Sequence, residues 1–305
     1  MSASHFPIYL AGPTGSGKTA VALELARALA PVEVINADAF QVYRGMEIIS
    51  AAPSSEETLE VPHHHFGVLD PSENSDAALF ATRAREMIAE VRLRAVPLVV
   101  GGSGLYLKAI THGLAPTPKS DPELRAQLDR ESLESLVSRY EQLDPDGAAS
   151  TNLKNRRYVT RNLEISLLSG EPASKLKSEW QDNHPKICGF FLRRDREELY
   201  SRINERTPLM FQKGVVAEVE ALTDTSQTAA KAIGIREIRD HLAGNLSEAE
   251  CIDAIRQATR RYAKRQLSWF KREPAFHSLE ISAEDSPASI VSRMLPHIHA
   301  FELED

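Results

Sequence analysis

Apolar residues in the first hundred positions of the chain fall into two kinds of pattern. Residues 8–11, 32–37 and 96–100 form short, mostly apolar runs, which are typical of strands buried on both faces of a sheet. Residues 19–29 and 77–94 instead carry apolar side chains at helical spacing. Strands that alternate with helices in this way predict a parallel α/β sheet flanked by helices.

The pattern changes in the middle of the chain. Helical periodicity then continues without a credible strand until residues 187–192, and a proline-marked linker at residues 114–118 leads into this stretch. We therefore predict an α/β core domain made of residues 1–120 and 185–305, interrupted by an inserted all-helical subdomain at residues 121–184.

Two polar signals mark helix starts in the last third of the chain. Asp195 followed by Glu198 predicts an N-terminal cap, because a carboxylate there can accept the free N–H groups of the first turn. Ser247 with Glu250 forms an S-x-x-E capping box, which predicts the start of a long helix that runs toward Arg272.

The loop after the first strand matches the phosphate-binding motif G-x-x-x-x-G-K-[ST], and it joins a strand to a helix as that motif requires. Its glycines let backbone N–H groups converge on phosphate oxygens, its lysine adds a cation, and its last hydroxyl can bind Mg²⁺. The motif therefore predicts a P-loop NTPase-like fold with a nucleotide-binding or ATP-binding loop. It identifies a phosphate ligand and not a reaction. The loop consists of Gly12, Pro13, Thr14, Gly15, Ser16, Gly17, Lys18 and Thr19.

Acidic residues at strand ends narrow the choice of reaction. An ATP hydrolase normally places an acidic residue after a later apolar strand to help hold the metal, but residues 96–100 lead into Gly101, Gly102 and Ser103. Asp38 follows the second strand, where it would face the phosphate site at the carboxyl edge of the sheet. From its position alone, Asp38 is a base toward an acceptor, a turn cap or a metal ligand.

The chain has a net charge of −7, yet its cations are concentrated in two segments. Residues 154–161 mix three arginines and a lysine with a tyrosine, and residues 254–272 contain seven cations and no acidic residue. Such surfaces favour contact with nucleic-acid phosphates and bases, although an isolated charge run is usually a solvated helix face. The seven cations are Arg256, Arg260, Arg261, Lys264, Arg265, Lys271 and Arg272.

The cysteines and histidines bear on metal binding, and the apolar pattern bears on the cellular location. Two widely separated cysteines indicate neither a zinc site nor a disulfide framework, and for the three histidines at residues 63–65 structural roles are favoured over metal binding. No apolar stretch approaches the roughly 20 residues of a membrane span, and the first seven residues lack the features of a secretory signal. We expect a cytoplasmic, monomeric protein with no membrane association.

Several segments resemble the tRNA dimethylallyltransferase family, also called isopentenyltransferases or IPP transferases. The similarity lies in residues 38–46 (DAFQVYRGM), 101–106 (GGSGLY), 161–164 (RNLE), 231–234 (KAIG) and 262–270 (YAKRQLSWF). The resemblance implies transfer of a dimethylallyl group from dimethylallyl diphosphate to the N6 amine of the adenosine adjacent to the anticodon in tRNA, with release of diphosphate.

The resemblance also implies roles for individual residues. Asp38 would accept the proton of the amine, Lys18 and Thr19 would hold the diphosphate with Mg²⁺ bound at Thr19, and Arg206 would contact the leaving diphosphate. Ser103 also suits a helix N-cap from its local sequence. The residues implied to contact the anticodon stem-loop are Asp38, Ala39, Phe40, Gln41, Ser103, Arg125, Arg157 and Arg161. The resemblance thus also implies that the inserted subdomain at residues 121–184 binds tRNA.

The chain departs from the family pattern at a few positions. Ile49 and Ala52 replace a usual glycine and lysine, Tyr158 stands where arginine is common, and Thr207-Pro208 is expected to interrupt a helix. The alternatives are a P-loop small-molecule kinase, an adenine-nucleotide isopentenyltransferase and a noncatalytic nucleotide-switched RNA-binding protein. The helical insert and the basic segments count against a kinase.

Overall fold

The computed structural model describes residues 5–181 and 185–304, and these residues divide into two compact units. The first unit is made of the described parts of residues 1–111 and 186–305, and the second lies within residues 112–185. The assignment of residues 121–184 as a tRNA-binding subdomain stays a prediction.

The first unit contains a six-stranded sheet in which every pair of neighbouring strands is parallel. The order across the sheet is β3-β2-β4-β1-β5-β6. The predicted parallel α/β architecture is therefore confirmed. The strands are β1 (Ile8–Ala11), β2 (Val32–Asn36), β3 (His63–His64), β4 (Val96–Gly101), β5 (Cys188–Arg194) and β6 (His277–Ile281).

The sequence pattern predicts the four central strands but not β3 and β6, which lie at the two edges. Strand β3 consists of two histidines, and β6 buries only Leu279 and Ile281 of its five residues. Edge strands are covered on fewer sides than central strands, so they lack the continuous apolar run that identifies a buried strand.

The helices follow the chain in three groups. The first unit has α1 (Lys18–Leu29), α2 (Glu47–Ser50), α3 (Ser55–Glu60), α4 (Ala77–Val91) and α5 (Gly104–Thr111). The second unit has α6 (Pro122–Arg130), α7 (Leu133–Leu143), α8 (Pro145–Ser150), α9 (Arg156–Ser169) and α10 (Ala173–Gln181). The first unit resumes with α11 (Arg196–Gln212), α12 (Val215–Ala221), α13 (Ile235–Leu242), α14 (Glu248–Phe270) and α15 (Pro287–Glu304). No helix in the described ranges is both long and apolar enough to span a bilayer.

Side chains on the two faces of the sheet belong to separate apolar cores. Ile8 and Leu10 of β1 pack in the core formed with α1 and α15, whereas Tyr9 and Ala11 pack in the core formed with α4 and α5. This alternation follows from the two-residue period of a strand. Covering both faces explains why the central strands are almost wholly apolar.

Both predicted helix caps are confirmed. The carboxylate of Asp195 accepts the N–H groups of Glu197 at 2.8 Å and Glu198 at 3.3 Å at the start of α11. Ser247 and Glu250 form a reciprocal capping box at the start of α14. These caps position the two helices that carry Arg206 and the late basic segment.

The expected interruption of a helix at Thr207-Pro208 is wrong, because α11 continues through Pro208 to Gln212. Proline has no N–H group, so the carbonyl of Asn204 loses its helical partner. Arg256 of α14 supplies replacement donors, with Nε at 3.1 Å and Nη2 at 2.9 Å from the Asn204 oxygen. One of the cations predicted to face tRNA phosphates therefore joins α14 to α11.

We expect Arg256→Met to lower the free energy of unfolding by about 1–3 kcal/mol, because it removes both donors from a carbonyl that α11 cannot satisfy. The loss should be smaller in a Pro208→Ala background, since the alanine N–H restores the helical bond. Urea denaturation of the two single variants and the double variant measures this coupling. Equal losses in both backgrounds would show that Arg256 does not compensate for the proline.

Candidate active site

The phosphate-binding loop lies between β1 and α1, as predicted. Gly15 and Gly17 have φ angles of 84° and 95°, in the left-handed region that glycine tolerates best. The N–H of Gly12 donates to the Gly101 carbonyl of β4 at 3.3 Å, which holds the loop at the carboxyl edge of the sheet. The loop opens directly into α1, whose N-terminus favours an anion.

Lys18 lies folded across this loop. Its ammonium group donates to the carbonyls of Gly12 at 2.9 Å and Pro13 at 3.0 Å. Burial lowers the pKa of Lys18 to about 8, an effect that the charge of Asp38 partly opposes. The lysine therefore loses its charge far more readily than a solvated lysine does.

Two arginines of α11 reach the same loop. Arg206 donates from Nη2 to the Thr14 hydroxyl at 2.9 Å, and Arg202 donates from Nε to the Gly15 carbonyl at 2.8 Å. Burial, together with the charge of Arg202, lowers the pKa of Arg206. Arg206 was predicted from the family resemblance, but Arg202 was not, although its position one turn earlier on the same helix indicates that it faces the same loop.

Asp38 follows β2 and lines the cavity above the loop. Its Oδ1 accepts the N–H of Phe40 at 3.0 Å, while the side chain of Asn36 accepts the N–H of Asp38 at 2.7 Å. Burial raises the pKa of Asp38, although the Phe40 N–H and the charges of Lys18 and Arg206 act in the opposite direction. One carboxylate thus serves both as a turn cap and as a cavity-lining group with increased basicity.

Helix α14 closes the site from the other side through Gln266, which is 5% exposed. Its Oε1 accepts the Thr14 N–H at 3.0 Å, and its Nε2 donates to the Gly102 carbonyl at 2.9 Å. Gln266 therefore joins the phosphate loop to the loop after β4. Sequence reasoning gave Gln266 no role, although it lies inside the 262–270 segment that resembles the family.

Ser103 connects three elements of the site. Its hydroxyl accepts the Ala39 N–H at 3.3 Å and lies 3.4 Å from the Tyr262 hydroxyl. The carbonyl of Ser103 accepts the first N–H groups of α5, from Tyr106 and Leu107. Ser103 thus begins the helix through its backbone, while its side chain holds the segment that follows Asp38.

Two neighbouring cavities meet at the same polar residues. A cavity of about 520 Å³ is lined by the phosphate loop, including Lys18 and Thr19, and by Asp38 and Arg206. A smaller pocket of about 70 Å³ also borders Asp38 and Arg206. Part of its wall is apolar, formed by Phe40, Ile49, Met210, Ala232, Ile233 and Ile255, and polar residues such as Thr207, Thr259 and Tyr262 line the rest. The arrangement can hold an anion in the larger space and an apolar group in the smaller one.

The site offers few protein ligands for a metal. The described residues contain no cluster of three or more His, Cys, Asp or Glu side chains that could hold an ion. The hydroxyl of Thr19 lines the large cavity. It fits Mg²⁺, which usually binds one or two protein oxygens and takes its other ligands from phosphates and water.

The three consecutive histidines have other partners. His63 shares a hydrogen bond of 2.7 Å with the Val61 carbonyl, and His64 lies 2.7 Å from a Glu33 carboxylate oxygen. The ring of His65 packs 4.5 Å from that of Phe80. These contacts agree with the structural roles expected for them.

In the second unit, Arg125 and Arg161 share the buried carboxylate of Glu164. Arg161 lies 2.7 Å from Glu164 and also donates to the Pro118 carbonyl at 2.7 Å, and Arg125 contacts the same carboxylate oxygen. Burial alone would raise the pKa of Glu164, but these hydrogen bonds outweigh it and lower the pKa. Arg157 is exposed, so it presents its full charge to solvent.

The surface of α14 and the residues after it remains strongly basic even though Arg256 points into the fold. Arg260 lies with its guanidinium 5.8 Å from the centre of the Tyr200 ring. Five further cations are exposed, namely Arg261, Lys264, Arg265, Lys271 and Arg272. This surface can attract a polyanion.

Sequence comparison identifies relatives along nearly the whole chain. The family model described as IPP transferase matches residues 41–273. A tRNA dimethylallyltransferase of Akkermansia muciniphila is 43% identical over 292 residues, which cover 95% of this chain and 99% of the relative. A tRNA dimethylallyltransferase of Geobacter sulfurreducens is 39% identical over 296 residues, which cover 93% of this chain and 95% of the relative.

Solved structures show the same similarity. The full-length tRNA isopentenylpyrophosphate transferase of Bacillus halodurans aligns with a TM-score of 0.72 and 33% identity, covering 98% of this chain and 97% of that one. A eukaryotic dimethylallyltransferase acting on tRNA aligns with a TM-score of 0.81 and 26% identity, covering 99% of this chain and 80% of that one.

Titration of Lys18 should control anion affinity. Because the pKa of Lys18 is about 8, the ammonium is charged below that pH and neutral above it. We expect the affinity for inorganic diphosphate to fall by up to about tenfold per pH unit above pH 8. Calorimetric titration between pH 6.5 and 9.5 measures this change.

The matched control is Lys18→Arg, whose guanidinium stays charged throughout this range. Its affinity for diphosphate should depend only weakly on pH, whatever its absolute value. The same steep decline in Lys18→Arg would assign the titration to another group.

Proposed function

The chain belongs to the IPP transferase family and is a tRNA dimethylallyltransferase, and we propose that Asp38, Thr19 and Arg206 are its catalytic residues. The reaction moves the dimethylallyl group from dimethylallyl diphosphate to the N6 amine of the adenosine next to the anticodon. The observation that carries the assignment is the meeting of a buried carboxylate, a phosphate loop and Arg206 at the junction of the two cavities.

The diphosphate binds in the larger cavity. The backbone N–H groups of the loop and the N-terminus of α1 are suited to its oxygens, and Lys18 and Arg206 provide cations. Arg206 already donates to Thr14 of the loop, so its guanidinium is oriented before the ligand arrives. Fixed donors of this kind stabilise the negative charge that develops on the departing diphosphate.

In the transfer step, the bond between the first prenyl carbon and the diphosphate oxygen breaks, and a bond from that carbon to N6 forms. The amine must lose a proton, and Asp38 accepts it. Burial raises the pKa of Asp38, which makes the carboxylate a better base than one in solution. The hydrogen bond from Phe40 to Oδ1 holds the carboxylate in place.

Mg²⁺ suits the same site, with Thr19 as its protein ligand and the diphosphate and water as its other ligands. When bound, the ion would neutralise part of the negative charge of the diphosphate. Thr19 and Arg202 both line the larger cavity, so the hydroxyl can hold the ion while the guanidinium provides a further cation for the diphosphate.

The dimethylallyl group occupies the smaller pocket, against its apolar side chains. Because this pocket shares Asp38 and Arg206 with the larger cavity, a chain held there would keep its first carbon between the leaving oxygen and the base. Apolar walls also exclude water from a carbon that gains positive character as the diphosphate leaves.

The adenosine enters beside the segment from Asp38 to Gln41. Ser103 holds Ala39 through its hydroxyl, and Gln41 donates from Nε2 to the carbonyls of Ser50 and Ala51. A base in an anticodon loop can leave its stack at much lower cost than one in a duplex. The ordered segment therefore presents a preformed edge to an unstacked base.

The basic surfaces bind the anticodon stem-loop. Arg157 of the second unit is exposed, so its guanidinium is accessible for direct contact with RNA. Arg125 and Arg161 share one carboxylate, so together they contribute about one net positive charge and act from fixed positions. The exposed cations of α14 add affinity that depends on salt.

Removing the carboxylate of Asp38 should slow catalysis without preventing binding. Asp38→Asn keeps an oxygen that can accept the Phe40 N–H, while Asp38→Ala removes it. We expect kcat to fall by roughly 10²–10⁴ in both variants because neither can accept the amine proton. The measurement is formation of prenylated adenosine from unmodified tRNA, dimethylallyl diphosphate and Mg²⁺.

Calorimetric binding of tRNA and of inorganic diphosphate provides the control for this experiment. Near-normal turnover by Asp38→Asn would exclude the carboxylate as the base. Transfer of phosphate from ATP to a small molecule without prenylation of tRNA would instead support the kinase alternative.

Arg157→Ala should weaken tRNA binding and reduce its salt dependence. Loss of one phosphate contact lowers the slope of log affinity against log salt by roughly 0.7–0.9. Arg130→Ala is the matched control, because Arg130 is another exposed arginine of the second unit outside the predicted contact set. Filter binding of an anticodon stem-loop at several salt concentrations measures both variants, and equal slopes for them would remove Arg157 from the interface.

A further inference from the structure

Ile49 lines the smaller pocket and has no part in the chemistry. We propose that Ile49 limits the length of the prenyl chain that the enzyme accepts, so that a five-carbon donor fits and a ten-carbon donor does not. This inference rests on the proposed function, because it assumes that the pocket holds the prenyl group.

Ile49 lies on α2 with its side chain buried, 7% exposed, and it lines the pocket that Asp38 and Arg206 border at the reaction site. A side chain there touches the far part of the donor and not its reacting carbon. Its size therefore affects which donors fit, with little direct effect on bond making.

The backbone of Ile49 is held in place from the neighbouring helix α12. The carboxylate of Glu218 accepts the N–H of Ile49 at 2.8 Å and that of Ile48 at 2.7 Å. Burial raises the pKa of Glu218, against the effect of these two N–H groups. A two-oxygen anchor at the start of a four-residue helix leaves the wall little freedom to move aside.

Close packing at Gly234 completes the wall. A Cβ atom at Gly234 would lie 2.5 Å from Cδ1 of Ile49 and 3.6 Å from Cδ1 of Ile255. The Ile49 side chain therefore occupies the space that any larger residue at position 234 would need. Gly234 has a φ of 106°, so its backbone conformation also favours glycine.

The volume of the pocket decides between donors. It measures about 70 Å³, and since a cavity needs about 10–15 Å³ to hold one water-sized group, it has room for roughly five to seven such groups. A five-carbon chain with its first carbon at the cavity junction can fit in this space. A second isoprene unit adds as many carbons again, and close-packed walls do not yield that much volume.

Competition between dimethylallyl diphosphate and geranyl diphosphate for tRNA tests the proposal. The ratio of the two prenylated adenosines, measured by mass spectrometry, gives the relative kcat/KM. We expect Ile49→Ala to shift this ratio toward the geranyl product by roughly tenfold or more, as for methylene-scale changes in apolar pockets.

Ile48→Ala is the matched control, since it makes the same chemical change on the same helix at a residue that does not line the pocket. Its product ratio should stay within about twofold of the parent ratio. An unchanged ratio in Ile49→Ala, or an equal shift in Ile48→Ala, would overturn the role of Ile49.

The loss of three carbons in Ile49→Ala can prevent the variant from folding, so a smaller change provides a second test. If Ile49→Ala does not fold, Ile49→Val removes a single methyl group and must shift the ratio in the same direction, or the proposal fails. Failure of the parent enzyme to transfer the dimethylallyl group would contradict the proposed function itself. Normal dimethylallyl transfer with no change of selectivity in the variants would contradict only the assignment of Ile49.

Discussion

Burial of opposite charges at one edge of a parallel sheet is the constraint on which the rest of the site depends. Asp38 follows β2 and Lys18 follows the loop after β1, on either side of β4 in the sheet, and each lies where desolvation disfavours its charged form. Each charge offsets part of the desolvation cost of the other, because an isolated ion removed from water is costly. Arg206 adds a second cation. Burial shifts the pKa of each of the three groups in the direction that favours its neutral form. Asp38 is therefore a stronger base than a solvated carboxylate. The two cations beside it, which have lost part of their hydration, are stabilised when an anion binds.

This arrangement requires a second wall, which α11 and α14 provide. Arg206 and Arg202 bind the phosphate loop from α11, and Gln266 joins that loop to the loop after β4 from α14. The two helices are joined by the contact of Arg256 with the carbonyl that Pro208 leaves without a helical partner. An arginine of a basic helix thus supports the position of a residue that we assign to catalysis. Pro208 of α11 and Arg256 of α14 therefore both affect the geometry of the donor site.

The basic residues of the chain divide between structure and surface. Arg256 binds a carbonyl inside the fold, Arg125 and Arg161 share the buried Glu164, and Arg157 remains exposed. Counting cations along the sequence therefore overstates the charge that is available to a polyanion. The cations that remain on the surface are concentrated in a few places. This explains how a chain with a net charge of −7 can present basic faces to tRNA.

The sequence by itself determined the features that depend on neighbouring residues in the chain. Buried parallel strands need apolar runs, helix starts need capping side chains, and a phosphate loop needs glycines before Lys18, so the central sheet, the caps at Asp195 and Ser247 and the donor loop were all predictable. Resemblance to a family singled out Asp38 and Arg206. Only the tertiary structure decided which distant residues meet, because contacts such as Gln266 with Thr14, Arg256 with Asn204 and Ile49 with Gly234 join segments whose spacing along the chain carries no signal. For the same reason the edge strands β3 and β6 were missed, since their pairing partners and not their own composition make them strands.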